Sequence, residues 1–539
     1  MKDITLQNLK SGVLVIGSGA AGLRAAIEAR TRGLEVAVMS KGAPGKGTCT
    51  ILSGGVFAGT REGELPESHL KQTLASGRGI NQRELVEILV AEGPKRLAEL
   101  VDWGIKGSIH EGNLISEGRA PIWGEEIINC LMRRARSLGI RFLSGLLATD
   151  LKFENGSLGV LAYSSATNKW LIFRAEAVVL AAGGAGGLYL RHDNPRRILG
   201  DGYRLALHAG AVLQDMEFVQ FYPIALAEPG YPAFLIPPQL ADFGRLYNDR
   251  NENIYDKYAI TERPAGIHAR DRLSQALYRE AFQSEMNVWL DLRDVTDAQW
   301  NSEPFSASTR IILGERYGAK HRPIRIAPIA HHVMGGICIN AQGATSVPGL
   351  FAAGEVTGGL HGANRKGGNA LTETVVFGAR AGRAAGDWAK NVPAGPGGQA
   401  TKNISEPASG STRTNARRSP SRLKAELLQV MWNDGGILRT QSGLSRALDA
   451  VEAIKAETVA VCLPDDPRQV RQNLELRAAA QVAELILQGA LRRKERRGAH
   501  FREDYPVQDD ANWRGHLQVR LTVEEELEWI YKGIQAIKS

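Results

Sequence analysis

Gly17, Gly19 and Gly22, spaced G-x-G-x-x-G, are the residues whose spacing most directly encodes chemistry in this chain. Glycines so placed let the backbone turn sharply, approach a pyrophosphate closely and pack a helix tightly on a strand. The context suits that reading. Residues 13–16 (VLVI) are an apolar run, 23–32 carry helical periodicity, and 35–39 are a second apolar run. Strand, glycine turn, helix and strand set a helix N-terminus, which Ala20 and Ala21 open, against phosphate oxygens. After the second strand, where a dinucleotide site usually places an acid for the ribose, stand Ser40 and Lys41.

Two more apolar strands run into glycines. Residues 177–182 (AVVLAA) lead into 183–187 (GGAGG), putting Ala182 and Gly183 at the junction, and 349–353 (GLFAA) lead into Gly354 and Glu355. Three such transitions spread over more than 300 residues imply one nucleotide-binding domain assembled from separated segments. The interval from about 222 to 328 is the natural insertion. After Ala389 the sequence becomes rich in Pro, Gly and Ser, which reads as a flexible connector. Beyond it, 423–454, 470–493 and 523–537 carry helical periodicity. The expected architecture is α/β: a Rossmann-like domain built from residues 1–222 and 329–390, with an inserted α+β capping domain at 223–328. A flexible linker at 391–422 and a C-terminal helical domain at 423–539 follow.

Composition excludes several classes. The chain has 539 residues, enough for roughly three or four units of about 150 residues. Its 60 glycines exceed the usual share and suggest many tight turns. Cys49, Cys130, Cys338 and Cys462 lie far apart, with no zinc, cluster or haem spacing, so no metal site is expected. The net charge of +8 comes from Lys and Arg mostly interleaved with Asp and Glu, so no nucleic-acid partner is expected. No window is long and apolar enough for a membrane span, and the N-terminus has no apolar signal core. A cytoplasmic protein is expected, peripheral to a membrane at most through a partner.

The separated segments resemble the flavoprotein subunits of succinate dehydrogenase and fumarate reductase, with L-aspartate oxidase and adenylylsulfate reductase as relatives. The resemblance is carried by 15–26 (VIGSGAAGLRAA), 199–223 (LGDGYRLALHAGAVLQDMEFVQFYP), 268–277 (HARDRLSQAL), 331–337 (HHVMGGI), 349–371 (GLFAAGEVTGGLHGANRKGGNAL) and 495–513 (ERRGAHFREDYPVQDDANW). It implies FAD rather than NAD. Glu355 matches the glutamate that takes the adenosine ribose hydroxyls, Asp201 matches an acid on the FAD side, and Ser40-Lys41 is the family's common pair. Gly54, Gly55, Asn369, Ala370 and Leu371 fall in cofactor-contacting stretches. In membrane-bound relatives a histidine bonds covalently to the flavin; Thr48 stands at that place, so the FAD is expected to be non-covalent, with Cys49 a packed thiol.

The same resemblance implies interconversion of a saturated and an α,β-unsaturated carboxylic acid. Arg270 matches the arginine that transfers the proton, Arg365 the carboxylate clamp, and His331 a histidine that hydrogen-bonds substrate; His332 reads as a packed histidine. Departures mark the far end of the pocket. Tyr222 replaces the histidine of the QFHPT-like stretch, as in urocanate-reductase-like members that take a ring-bearing acrylate. The acid and arginine of the usual relay are not legible in 236–242, with Asp242 and Arg245 as stand-ins, and 116–121 (SEGRAP) replaces another family segment. A substrate with one carboxylate at Arg365 and a less anionic second end follows. Two other readings stand beside it: an aspartate-oxidase-like amine dehydrogenation, with Glu117 as the acid for the amine, and a catalytically inert FAD subunit. Electrons are expected from a separate iron–sulfur or other electron-transfer subunit.

Overall fold

The computed structural model describes residues 5–8, 12–59, 66–110, 113–116, 122–154, 157–302, 304–392, 418–460 and 466–534. Glu117, Cys462 and most of the expected linker lie outside them. The apolar runs of the sequence become a parallel five-stranded sheet. Its order is Leu350–Ala352, Ala177–Leu180, Gly12–Ile16, Glu35–Ser40, Arg141–Ser144. Segments more than 300 residues apart in sequence thus share one small sheet. Helices Ala20–Arg30 and Asn369–Asn391 pack against each other and this sheet. Because both faces are covered, the strands read as unbroken apolar runs rather than alternating ones.

The insertion folds around its own core. Val219–Leu226, Ile324–Val333, Val288–Asp291 and Arg245–Asn248 form an antiparallel sheet. The helix Arg270–Tyr278 contacts its first strand. Tyr222, Ile224, Leu273, Leu290 and Ile326 belong to an apolar cluster separate from that of the parallel sheet.

Beyond residue 417 the expectations need two corrections. A helix spans Pro420–Asn433, starting inside the stretch read as connector, because Ser419 accepts the Arg422 N–H at 3.3 Å and proline suits a first helical turn. Helices Gln441–Ala460 and Pro467–Arg492 follow. The stretch 523–537, read as helical, instead contains the strand Leu527–Gly533, paired antiparallel with Gly515–Leu521. Local propensity there favours helix, but tertiary contacts win: Trp529 pairs across to Val519, donates Nε1–H to Gln488 at 2.9 Å, and lies under the Arg492 guanidinium. This hairpin joins a four-stranded sheet with Leu213–Gln214 and Gly336–Ile337. Among the described residues, no helix is long and apolar enough to cross a membrane.

Buried charge ties the C-terminal domain to the entry of the inserted one. Arg493, fully buried, donates to Glu217 at 2.6 Å and Glu495 at 3.0 Å, and to the Gly515 carbonyl at 2.9 Å. Arg439, also fully buried, donates to the Glu217 carbonyl and to His500 Nδ1, both at 2.8 Å. Removing one partner of such a group leaves uncompensated buried charge, at a cost of about 3–5 kcal/mol. Arg493→Met should therefore lower stability by about that amount, read as a lower urea midpoint, whereas the exposed pair Arg520–Glu528 should contribute less than about 1 kcal/mol in the same assay.

Candidate functional site

A cavity of about 970 Å³ opens between the parallel-sheet domain and the inserted domain. That volume lies near the top of the range for small-molecule and cofactor sites. One end is built by the glycine turn. Gly17 adopts φ +120°, and a Cβ there would fall 2.0 Å from the Ala181 carbonyl oxygen, so two strands close on each other only because this residue is glycine. Gly22 does not line the cavity: a Cβ there would lie 2.1 Å from the Gly17 carbonyl, which makes it the packing glycine of the motif. Gly19 caps the helix Ala20–Arg30 without a side-chain hydrogen bond, and Ala20 N–H is held by Thr50 Oγ1 at 3.1 Å. Gly17, Gly19, Ala20, Ala21, Ala182 and Gly183 line this stretch of the wall.

Ser40, Lys41 and Asp201 lie at the same end. Lys41 donates to Asp201 and to the Arg197 carbonyl. Thr48 caps the short helix Cys49–Leu52, donating to the Gly45 carbonyl and accepting the Ile51 N–H. Cys49 Sγ lies 3.1 Å from Asn194 Oδ1, and burial, then the nearby Glu355, pushes its thiol well up. Gly54, Gly55, Ala370 and Leu371 line the wall, but Asn369 turns away from it. Asn369 Oδ1 lies 2.7 Å from His69 Nε2, and its amide donates to Thr73 at 3.0 Å, fastening its helix to the helix Pro66–Ser76.

Glu355 does not stand with Ser40 and Lys41. Its strand is at the opposite edge of the sheet order, and its carboxylate accepts the Val333 N–H at 3.1 Å and sits 3.6 Å from His332 Nδ1. Glu355 thus lies beside Val333 and His332, apart from the Lys41–Asp201 pair. His332 is buried beside Glu355 and His361, as a packed histidine. Burial pushes the Glu355 carboxyl up to about 7, opposed by the Val333 N–H and the Arg365 cation.

The other end gathers Arg365, Arg270, His331 and Tyr222. Arg365 and Arg270 are both buried, and neither forms a salt bridge among the described residues. Arg365 Nη2 lies 2.8 Å from His331 Nε2, while its Nε has no partner among the described residues. Arg270 donates Nε–H to the Gly266 carbonyl at 3.2 Å, its guanidinium lies over the Tyr222 ring at 5.5 Å, and its Nη1 has no partner among the described residues. Burial lowers the proton affinity of both. For Arg365 the repulsion of Arg270 adds to it, bringing its pKa to about 10.

Tyr222 faces the cavity differently from the sequence expectation. Its hydroxyl donates to the Ile236 carbonyl at 2.6 Å, so what meets His331 and Arg270 is the ring rather than the phenol oxygen. Asp242 and Arg245 do not stand in for the missing relay. Asp242 accepts the Ala265 N–H and pairs with Arg263, and Arg245 is exposed beside Asn251. The segment 117–121 lies outside the described residues. Sequence reasoning missed Asp193, Asn194, Gln239 and His268, all on the cavity wall. Only the polar run His192-Asp193-Asn194 after the second glycine cluster could have signalled the first two.

The residues present suit a flavin dinucleotide: a glycine turn at a helix N-terminus for the pyrophosphate, a long cavity, and polar atoms unpartnered among the described residues at both ends, Asp201 Oδ1 at one and Arg365 Nε and Arg270 Nη1 at the other. Comparison with known proteins agrees. An FAD binding domain family matches residues 12–371, and the fumarate reductase flavoprotein C-terminal family matches 424–536. A fumarate reductase (CoM/CoB) subunit of Methanothermobacter marburgensis is 32% identical over 95% of this chain and 98% of its own. L-aspartate oxidase of Streptomyces coelicolor is 31% identical over 96% and 93%. The structure of E. coli quinol fumarate reductase FrdA superposes with a TM-score of 0.86 at 26% identity, covering 99% of this chain and 98% of that one.

The raised carboxyl of Glu355 has a sign that can be measured. The folded chain holds this proton more tightly than the unfolded chain, whose ordinary value is 4.5. Its contribution is therefore full in acid and is lost as pH rises from about 4.5 to about 7. In flavin-free protein, Glu355→Gln should flatten the decline of melting temperature across that window; parallel native and variant curves would show that the group titrates normally.

Proposed function

Because the chain belongs to the family of FAD-dependent oxidoreductases that includes fumarate reductase flavoproteins and L-aspartate oxidases, we propose that it interconverts a saturated and an α,β-unsaturated carboxylic acid. The observation that carries this is the pair of buried guanidiniums, each with an unpartnered nitrogen, at one end of the cavity. Arg365 is the carboxylate clamp: its planar fork stays charged at neutral pH and binds two oxygens at once. Arg270, whose proton affinity burial has lowered, is the proton donor to the carbon next to that carboxylate. His331 accepts from Arg365 and keeps the clamp aligned. Bound flavin supplies hydride transfer at N5 to the other carbon.

The cofactor is FAD. Lys41 and Asp201 would hold its adenosine end, the Gly17–Gly22 turn its pyrophosphate, and Glu355 the portion toward the substrate end. A covalent link is not proposed, because Thr48 has no nitrogen to offer and Cys49 holds its proton firmly. As the family resemblance implies, a separate iron–sulfur or comparable electron-transfer protein supplies electrons, and the chain is cytoplasmic, at most peripheral to a membrane through that partner.

The substrate carries one carboxylate. Leu235, Pro238, Ile267 and the Tyr222 ring make much of the cap-side wall apolar, with Arg270, Gln239 and His268 as its polar groups. Amine dehydrogenation is less well supported: Asp193 is engaged by His331, Asp201 by Lys41 and Glu355 by Val333.

With methyl viologen as electron donor, trans-cinnamate or urocanate should be reduced at a lower KM than fumarate, by about tenfold or more, because a second buried carboxylate would lack a partner. Arg365→Ala should abolish turnover of every acid tested. Acid precipitation should release the flavin into the supernatant. Fumarate as the best acceptor would return the protein to dicarboxylate chemistry, and oxidation of L-aspartate in place of acid reduction would favour the amine reading.

A further inference from the structure

Arg365 and His331 belong to a longer chain of contacts. His331 Nε2 lies 2.8 Å from Arg365 Nη2, and His331 Nδ1 lies 2.6 Å from Asp193 Oδ2. A guanidinium nitrogen can only donate. Nε2 must then be the bare nitrogen of the ring, and the ring proton sits on Nδ1, donated to Asp193. Asp193 is held in turn. Its Oδ1 accepts from Asn194 Nδ2 at 2.9 Å, its amide donates to the Ala330 carbonyl at 3.3 Å, and Asn194 Nδ2 also reaches the His331 carbonyl at 3.3 Å. The carboxylate is thereby fixed to the same strand, Ile324–Val333, that carries the imidazole.

We propose that Asp193 is a positioning residue for carboxylate recognition. It selects the Nδ1–H tautomer of His331, and that tautomer orients Arg365 with its Nε still open to substrate. With the proton on Nε2 instead, N–H would face N–H, and the guanidinium would turn away. The imidazole also serves as an insulator. A carboxylate touching Arg365 directly would occupy the clamp as a substrate does, whereas a neutral ring takes one N–H and leaves the charge available. The proposal rests on the carboxylate reading above and extends it to a residue that would not touch substrate.

Flavin-loaded protein with 15N-labelled histidine rings tests it, with His331 signals identified by their loss in His331→Gln. Native protein should show His331 as a neutral ring protonated on Nδ1, and Asp193→Asn should change that signature. Titrated with trans-cinnamate and with fumarate and followed by flavin absorbance, Asp193→Asn should bind about tenfold more weakly. Its flavin content and melting temperature should stay near native, and Asp193→Glu should recover most of the affinity. An Nε2-protonated His331 in native protein, or an Asn variant that binds as tightly as native, overturns the proposal alone. A native protein that binds neither acid overturns the carboxylate reading, and the proposal with it.

Discussion

Two guanidinium groups, Arg270 and Arg365, share one buried end of a cavity, and neither forms a salt bridge among the described residues. Buried cations without a direct ion pair are costly, and here the two also repel each other, with Glu355 and Asp193 offsetting part of that at Arg365. Such an arrangement persists only if the surrounding fold is stable enough to impose it. Arg365 is held just ahead of the helix Asn369–Asn391, which is locked onto the parallel sheet. Arg270 opens a helix of the inserted domain. The repulsion therefore acts across the junction of two separate cores, and an anion entering between them relieves it.

The C-terminal domain bears on that junction. Glu217, bonded to Arg493, precedes by two residues the strand Val219–Leu226, which enters the inserted domain. One residue into that strand, Gln220 donates to the Arg365 carbonyl at 3.0 Å and to Asn364 at 2.6 Å. A few residues of extended backbone thus connect the buried Arg493 network to Arg365. The helices and hairpin after the linker fix the direction in which the inserted domain leaves the flavin domain.

Much of this is legible in the sequence wherever local pattern and tertiary demand agree. The Gly17–Gly22 turn, the strands around 177–180 and 350–352, and the insertion between 222 and 328 all follow from apolar runs meeting glycines. Arg270, His331 and Arg365 meet in one cavity as the motif resemblance implies. Expectation and structure part where a distant partner decides. The 523–537 segment has helical propensity, yet Trp529 finds Val519 and Gln488. Asn369 sits in a cofactor-contacting motif, yet its amide is claimed by Thr73 and His69. Glu355 stands apart from Ser40 and Lys41 because sequence order carries no information about strand order, which puts residues 350–352 well away from 35–40.

Tyr222 shows how a residue's identity can mislead about what it presents. Replacing a histidine by tyrosine suggests a hydroxyl offered to the substrate. The pairing of Val219–Leu226 with Ile324–Val333 is irregular between Tyr222 and Ala225, and the hydroxyl reaches the Ile236 carbonyl of a neighbouring turn. A buried carbonyl gains a donor, and the ring is held against His331 and Arg270. The aromatic face then supports the Arg270 cation without neutralising it, since a cation–π contact stabilises charge but removes no proton. Arg270 and Arg365 are thus left together at one end of the cavity with an aromatic face beside them. An anion entering at that end meets two guanidiniums whose charge the ring has left intact.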